Sequence, residues 1–167
     1  MEKAQLIHNN VFVDNRGTFA PLSIIYGEDK LPVLRKTWVQ SNISVNPNER
    51  TLRGLHYQKE PYAQTKLVKV ITGSIVDFVV DLRKESEDYN KCFIFEVTPN
   101  YELYVPKGFA HGFITTMENT VVQYLVDEVY SQPSEALLLW SSVPEVVEKL
   151  NELHIYNNII ISDKDKA

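Results

Sequence analysis

An all-β sandwich or barrel is the fold this sequence predicts. Apolar and polar residues alternate through most of the chain, and the alternating runs are short, rich in β-branched and aromatic residues and separated by Pro- or Asn-bearing breaks. A helical period occurs in one place only.

The elements follow in order. Thr37 to Ser44 alternates, putting Trp38, Gln40 and Asn42 on one side of a strand. Lys66 to Ile71 and Ile75 to Asp81 flank Thr72-Gly73-Ser74, which predicts a hairpin with Gly73 in the turn. Cys92 to Val97, Tyr101 to Val105 and Thr120 to Val126 continue the strand pattern. Asn46-Pro47-Asn48, Thr98-Pro99-Asn100 and Pro106-Lys107-Gly108 mark the breaks. Ser142-Val143-Pro144-Glu145 has the form of a capping box with Pro in the first turn. Val146, Val147, Leu150 and Leu153 follow at helical spacing, predicting a short helix at about 143–153.

The chain of 167 residues shows no repeat, linker or composition shift, so one domain over 1–167 is expected. With 17 Lys and Arg against 22 Asp and Glu, the net charge of −5 argues against a nucleic-acid partner, which calls for a basic face. The longest unbroken hydrophobic run, Ala136 to Trp140, is far too short to span a membrane. Cys92 is the single cysteine and MEKAQLIHNN lacks an apolar signal run, so a reducing, cytoplasmic compartment is expected.

Three segments depart from a plain core. Arg53-Gly54-Leu55-His56-Tyr57-Gln58 sets three polar side chains into a strand. Strict alternation would put Arg53 and His56 on opposite faces, unless Gly54 makes a bulge that re-aims them. His111 lies between glycines in Pro106-Lys107-Gly108-Phe109-Ala110-His111-Gly112-Phe113. Tyr124, Asp127, Glu128 and Tyr130 form a third cluster. His8 and His154 sit in ordinary surface contexts, and Tyr57, Tyr62, Tyr101 and Tyr104 suit a sheet. There is no His-x-His, Cys-x-x-Cys or His-x-x-x-His pair, although His56, His111 and a carboxylate would make a minimal three-ligand metal site. Neither a Gly-x-Ser-x-Gly elbow nor a Gly-x-Gly-x-x-Gly loop occurs.

Asp14-Asn15-Arg16-Gly17-Thr18-Phe19, Gln40-Ser41-Asn42-Ile43-Ser44, Leu52 to Gln58, Gln64-Thr65-Lys66-Leu67-Val68, Val80 to Ser86 and Pro106 to Phe113 occur in that order. With Tyr124, Tyr130 and Ile161-Ser162-Asp163-Lys164-Asp165, they closely resemble the dTDP-4-dehydrorhamnose 3,5-epimerase family from about residue 5 to 165. The resemblance implies a cupin-like jelly-roll barrel, a homodimer that needs neither metal nor organic cofactor, and a dTDP-linked 4-keto-6-deoxy sugar inverted at C3 and C5. By matching position it implies His56 as base with Asp165 as its carboxylate, Tyr124 as acid on the opposite face and Lys66 at the C4 carbonyl. Arg16, Phe19, Gln40, Asn42, Arg53, His111, Tyr130, Glu135 and Lys164 would line the nucleotide-sugar site. The chain departs from the family pattern at Pro21, where a glutamate is usual, and after Trp140, where Ser141-Ser142-Val143-Pro144 replaces an Asn-Asp and Ile-x-Trp-Pro segment.

Those residue types suit the chemistry. A C4 ketone acidifies both neighbouring C–H bonds, and a neutral histidine held by a carboxylate is a suitable base near neutral pH. A cation at the oxygen stabilises the enolate, and a phenol on the far face returns the proton. Inversion at C3 alone, a 3,4-ketoisomerase, a non-catalytic nucleotide-sugar module and metal-dependent chemistry on the same barrel are the alternatives.

Overall fold

The computed structural model describes residues 1–9, 11–15, 17–19 and 37–166. Arg16 and Pro21 lie outside the described residues. A short strand β1 (Gln5–His8) precedes the hairpin of β2 (Phe12–Asp14) and β3 (Gly17–Phe19). β4 (Gln40–Asn46), β5 (Thr51–Gln58), β6 (Lys66–Thr72), β7 (Ile75–Asp81), β8 (Cys92–Val97), β9 (Tyr101–Val105), β10 (Phe109–Thr115) and β11 (Thr120–Val126) follow. β12 (Glu135–Leu137), α1 (Pro144–Glu152) and β13 (Ile160–Ile161) complete the chain.

Two antiparallel sheets face each other, one in the order β1-β9-β6-β11-β4 and the other β12-β5-β10-β7-β8. Period-2 alternation explains why. Val68, Val70, Ile75, Val79, Leu103, Val105 and Val122 point between the sheets as one core. The opposite phase of the second sheet, Val76, Phe78 and Val80, packs against α1 through Val146 and Leu150, both fully buried. Burying each of those two side chains contributes roughly 1.5–3 kcal/mol. β7 is therefore covered on both faces, which is why all seven of its residues are buried.

Two local expectations need correction. β6 and β7 do not form a hairpin: they belong to different sheets, and Gly73 turns a corner between them. Its φ of 86° suits a turn of either kind, and a Cβ there would lie 2.2 Å from the Thr120 hydroxyl. Local turn chemistry does not distinguish the two; the covering of both faces of β7 does. The helix forms as predicted, but Val143 rather than Ser142 is its N-cap, with no side-chain cap. Ser142 Oγ instead donates to the Leu139 carbonyl. The buried apolar face, not a capping box, holds this helix.

Candidate active site

The site lies at the open end of the space between the sheets, where the inward phase changes from apolar to polar. β4 turns Gln40, Asn42, Ser44 and Asn46 inward and leaves Val39, Ile43 and Val45 exposed, the reverse of an ordinary core strand. Asn46 is buried; its amide donates to the Thr120 carbonyl and its oxygen accepts from Arg53 Nε at 2.8 Å. That contact aims the guanidinium into the cavity with its terminal N–H groups available for an anion.

β5 solves the alternation problem. The register between β10 and β5 shifts between His111 and Phe113, and Gly54 has a φ of 121°. Arg53 and His56 consequently line one cavity, while Leu55 turns to the core beneath α1. Gly54 sits against Gly112; a Cβ would lie 2.6 Å from the Gly112 Cα and 2.9 Å from the His111 carbonyl. Gly54→Ala is accordingly expected to cost about 2 kcal/mol or more, and to lower the melting temperature by roughly 4 °C or more in a thermal scan. An unchanged melting temperature would show that the strands can part without cost.

His56 Nε2–H donates to Asp165 Oδ1 at 2.7 Å. Asp165 is 4% exposed, and its second oxygen accepts the Gly54 backbone N–H at 3.3 Å. An ionised Asp165 selects the tautomer with the proton on Nε2, leaving the Nδ1 lone pair as the base. Burial pushes the imidazole below its ordinary pKa and Asp165 opposes this without cancelling it, so His56 is neutral near pH 7. The altered segment after Trp140 does not prevent this pairing. β13 adds in parallel to β5 through Ile160 and Ile161, and the following turn delivers Asp165.

Lys66, on β6, is 8% exposed and donates from Nζ to the His56 carbonyl at 3.3 Å. Burial lowers its pKa to about 8, with the charges of Asp77 and Glu135 working the other way. Tyr124, on β11, shares the cavity. Burial raises its phenol above the ordinary value, against the pull of Arg53, so it keeps its proton. His111 lies opposite His56 in the β5–β10 register and bonds through Nε2 to Asp77 Oδ2 at 2.9 Å.

The cavity holding these groups measures about 250 Å³, and an adjoining one of about 310 Å³ shares Lys66 and Tyr124 with it. The second is lined by amides and aromatics. Gln40 Nε2 donates to Asn42 Oδ1, Gln40 Oε1 accepts the Tyr130 backbone N–H, and the Tyr130 hydroxyl donates to Glu135, which also pairs with Lys164. Gln58, at 7% exposure, ties the rim together, donating to the Tyr62 and Val129 carbonyls and accepting from Ser131 N–H.

His56, Lys66, Tyr124, Asp165, Arg53, His111, Gln40, Asn42, Tyr130, Glu135 and Lys164 thus line the two adjoining cavities. Phe19 is on the β2–β3 hairpin, 68% exposed, and lines neither. Of the third polar cluster, Asp127 turns away: it accepts from the Thr65 backbone N–H and pairs with Lys107. The two histidines each take their own aspartate, and no three metal-ligating side chains converge among the described residues. Sequence reasoning missed Ser44, Asn46 and Asp77. Asp77 had a signal: a lone carboxylate in a strand that is otherwise apolar on both faces must find a buried partner.

The family model described as dTDP-4-dehydrorhamnose 3,5-epimerase matches residues 1–167. A dTDP-4-dehydrorhamnose 3,5-epimerase of Shigella flexneri is 37% identical over 158 residues, covering 93% of this chain and 83% of that protein. One from Sinorhizobium fredii is 33% identical over 177 residues, covering 99% and 83%. A Bacillus anthracis dTDP-4-dehydrorhamnose 3,5-epimerase, crystallised with TDP and PPi bound, superposes with a TM-score of 0.79 at 39% identity, over 98% of this chain and 91% of that one. The two-sheet barrel is the cupin-like jelly roll of these enzymes. On this agreement of profile, sequence and backbone, the chain belongs to the dTDP-4-dehydrorhamnose 3,5-epimerase family.

Proposed function

We propose that this protein inverts C3 and C5 of dTDP-4-dehydro-6-deoxyglucose, giving dTDP-4-dehydrorhamnose. The observation that carries the reading is one cavity in which the His56–Asp165 pair, the Lys66 amine and the Tyr124 phenol meet. His56 Nδ1 takes the proton from the carbon beside the C4 ketone, and the electron pair moves onto the C4 oxygen as an enolate. The Lys66 ammonium stabilises that oxygen. Tyr124 returns a proton to the opposite face, so the carbon is inverted, and exchange with solvent resets both groups. Repetition at the second carbon needs no further residue, because both flank the same ketone.

Arg53 and Lys164 supply local positive charge for the diphosphate in a chain whose net charge is −5. Gln40, Asn42 and Tyr130 offer the hydrogen bonds and ring surface that a nucleoside requires. His111 and Glu135 complete the sugar-facing wall. Arg16 and Phe19 are substrate contacts only by their place in the family pattern. In this reading Phe19, which lines neither of the two cavities, reaches the site of a second copy. A homodimer is part of the same reading. Val39, Ile43 and Val45 expose 51%, 66% and 60% of their surface on one strand face, and Phe12 and Val13 on the hairpin expose 59% and 75%, an apolar face that a second chain would cover. A cytoplasmic location agrees with the single cysteine; among the described residues no helix is long and apolar enough to cross a membrane.

Incubating the keto-sugar nucleotide with the enzyme in deuterated water is expected to load deuterium at C3 and C5, resolved by NMR. Label at C3 alone would mark a 3-epimerase, carbonyl migration a ketoisomerase, and no label at either carbon would remove the reading. The pH profile of kcat/KM follows from the two nitrogen groups. The base must be neutral, so activity falls as pH drops through a His56 pKa held below 6.5. The amine must be charged, so activity falls as pH rises through about 8. A profile that stays flat to pH 10 would exclude the Lys66 ammonium from the rate.

A further inference from the structure

Asp77 is a fully buried charge that the mechanism above leaves unused. It sits at the middle of β7, 0% exposed, between the apolar Val76 and Phe78 and facing the space between the sheets. One oxygen bonds His111 Nε2 at 2.9 Å; the other, Oδ1, is buried with no hydrogen-bond partner. A buried carboxylate with an orphaned oxygen is costly, and a half-satisfied one more so than a hydrophobic residue of the same size. The cavity that His111 lines also holds Lys66, whose ammonium and the Asp77 carboxylate attract each other.

We propose that Asp77 is a positioning residue for the epimerase reaction, acting through two neighbours at once. It holds the His111 ring by Nε2–H, which presents Nδ1 to the sugar, and it provides the fixed negative charge that keeps Lys66 an ammonium in an otherwise desolvating wall. The inference rests on the epimerase reading and deepens it. The other titratable and charged groups around Lys66 do not replace Asp77. Glu135 on β12 is already paired with Lys164 and Tyr130. Asp165 is committed to His56 and the Gly54 N–H. His56 on β5 acts against a charge on Lys66 and Arg53 is itself cationic, while His111 and Tyr124 bring no fixed negative charge. Burial raises the Asp77 carboxyl above its ordinary value, and the neighbouring His111 and Lys66 draw it back.

Asp77→Asn keeps the shape and an acceptor for His111 but removes the charge. The expected result is an alkaline limb of the kcat/KM profile displaced downward by about one pH unit or more. The variant then loses about fivefold or more at pH 8 and much less at pH 6.5, with dTDP affinity within roughly twofold of the unmodified enzyme. A loss of equal size at every pH, or an unshifted limb, would overturn the proposal. If the variant fails to fold, long-range ¹H–¹⁵N NMR of the unmodified enzyme decides, with His111 assigned through His111→Gln: the proton is expected on Nε2 between pH 6.5 and 8, and a bare Nε2 would overturn it. Deuterium uptake at C3 and C5 by the unmodified enzyme is the control. Its absence defeats the epimerase reading, whereas its presence beside an unshifted Asp77→Asn profile defeats only this inference.

Discussion

His56→Asn is expected to lower deuterium exchange at both C3 and C5 by about 10²–10⁴-fold, the usual worth of a positioned general base. Asparagine is the informative replacement. Its amide can still donate to Asp165, which is 4% exposed and would otherwise be left as a buried carboxylate without its partner. The loss is therefore expected in kcat, with dTDP binding and the melting temperature little changed. Loss at one carbon only would show that two different bases serve the two positions. Retention of full exchange would show that His56 takes no proton and that the cavity has been assigned the wrong base.

Lys66→Met should produce the second-largest effect, a fall in kcat of about 10²–10³-fold, by analogy with the removal of a preorganised donor from an oxyanion. Methionine fills the same buried stem and gives up only the charge, so packing between β6, β9 and β11 is kept. The alkaline limb near pH 8 should vanish along with the activity it governs. A variant with near-normal kcat would mean that the enolate oxygen is stabilised elsewhere, Arg53, His111 and Lys164 being among the donors that line the same cavity.

The sheets were legible because burial on one face writes itself as alternation, and β8, β9 and β11 fall where the period placed them. What alternation does not carry is which sheet a strand joins, and so Gly73 suggested a hairpin where the chain turns a corner. Gly54 was legible as a place where the phase could change, and the structure shows that it does, bringing Arg53 and His56 into one cavity. The lining groups came chiefly from the resemblance, since residues as far apart as 42, 56, 124 and 165 share no local pattern. Asn46 was hidden because Asn-Pro-Asn speaks of a turn, while its side chain serves the interior by orienting Arg53. Asp77 was hidden because a single charge in Ile-Val-Asp-Phe-Val-Val suggests a solvent face, whereas its phase, shared with Ile75 and Val79, lies between the two sheets.

Asp165 reaches His56 from a segment whose backbone joins the sheet over only two residues of parallel pairing, Ile160 with Thr51 and Ile161 with Leu52, before a single tight turn. A segment paired over so few residues opens at a smaller free energy than the global transition. Each excursion strips the imidazole of its carboxylate while both sheets persist. Warming should therefore silence turnover before the cooperative melt begins, and a ligand that pins Lys164 and its neighbours would widen that interval.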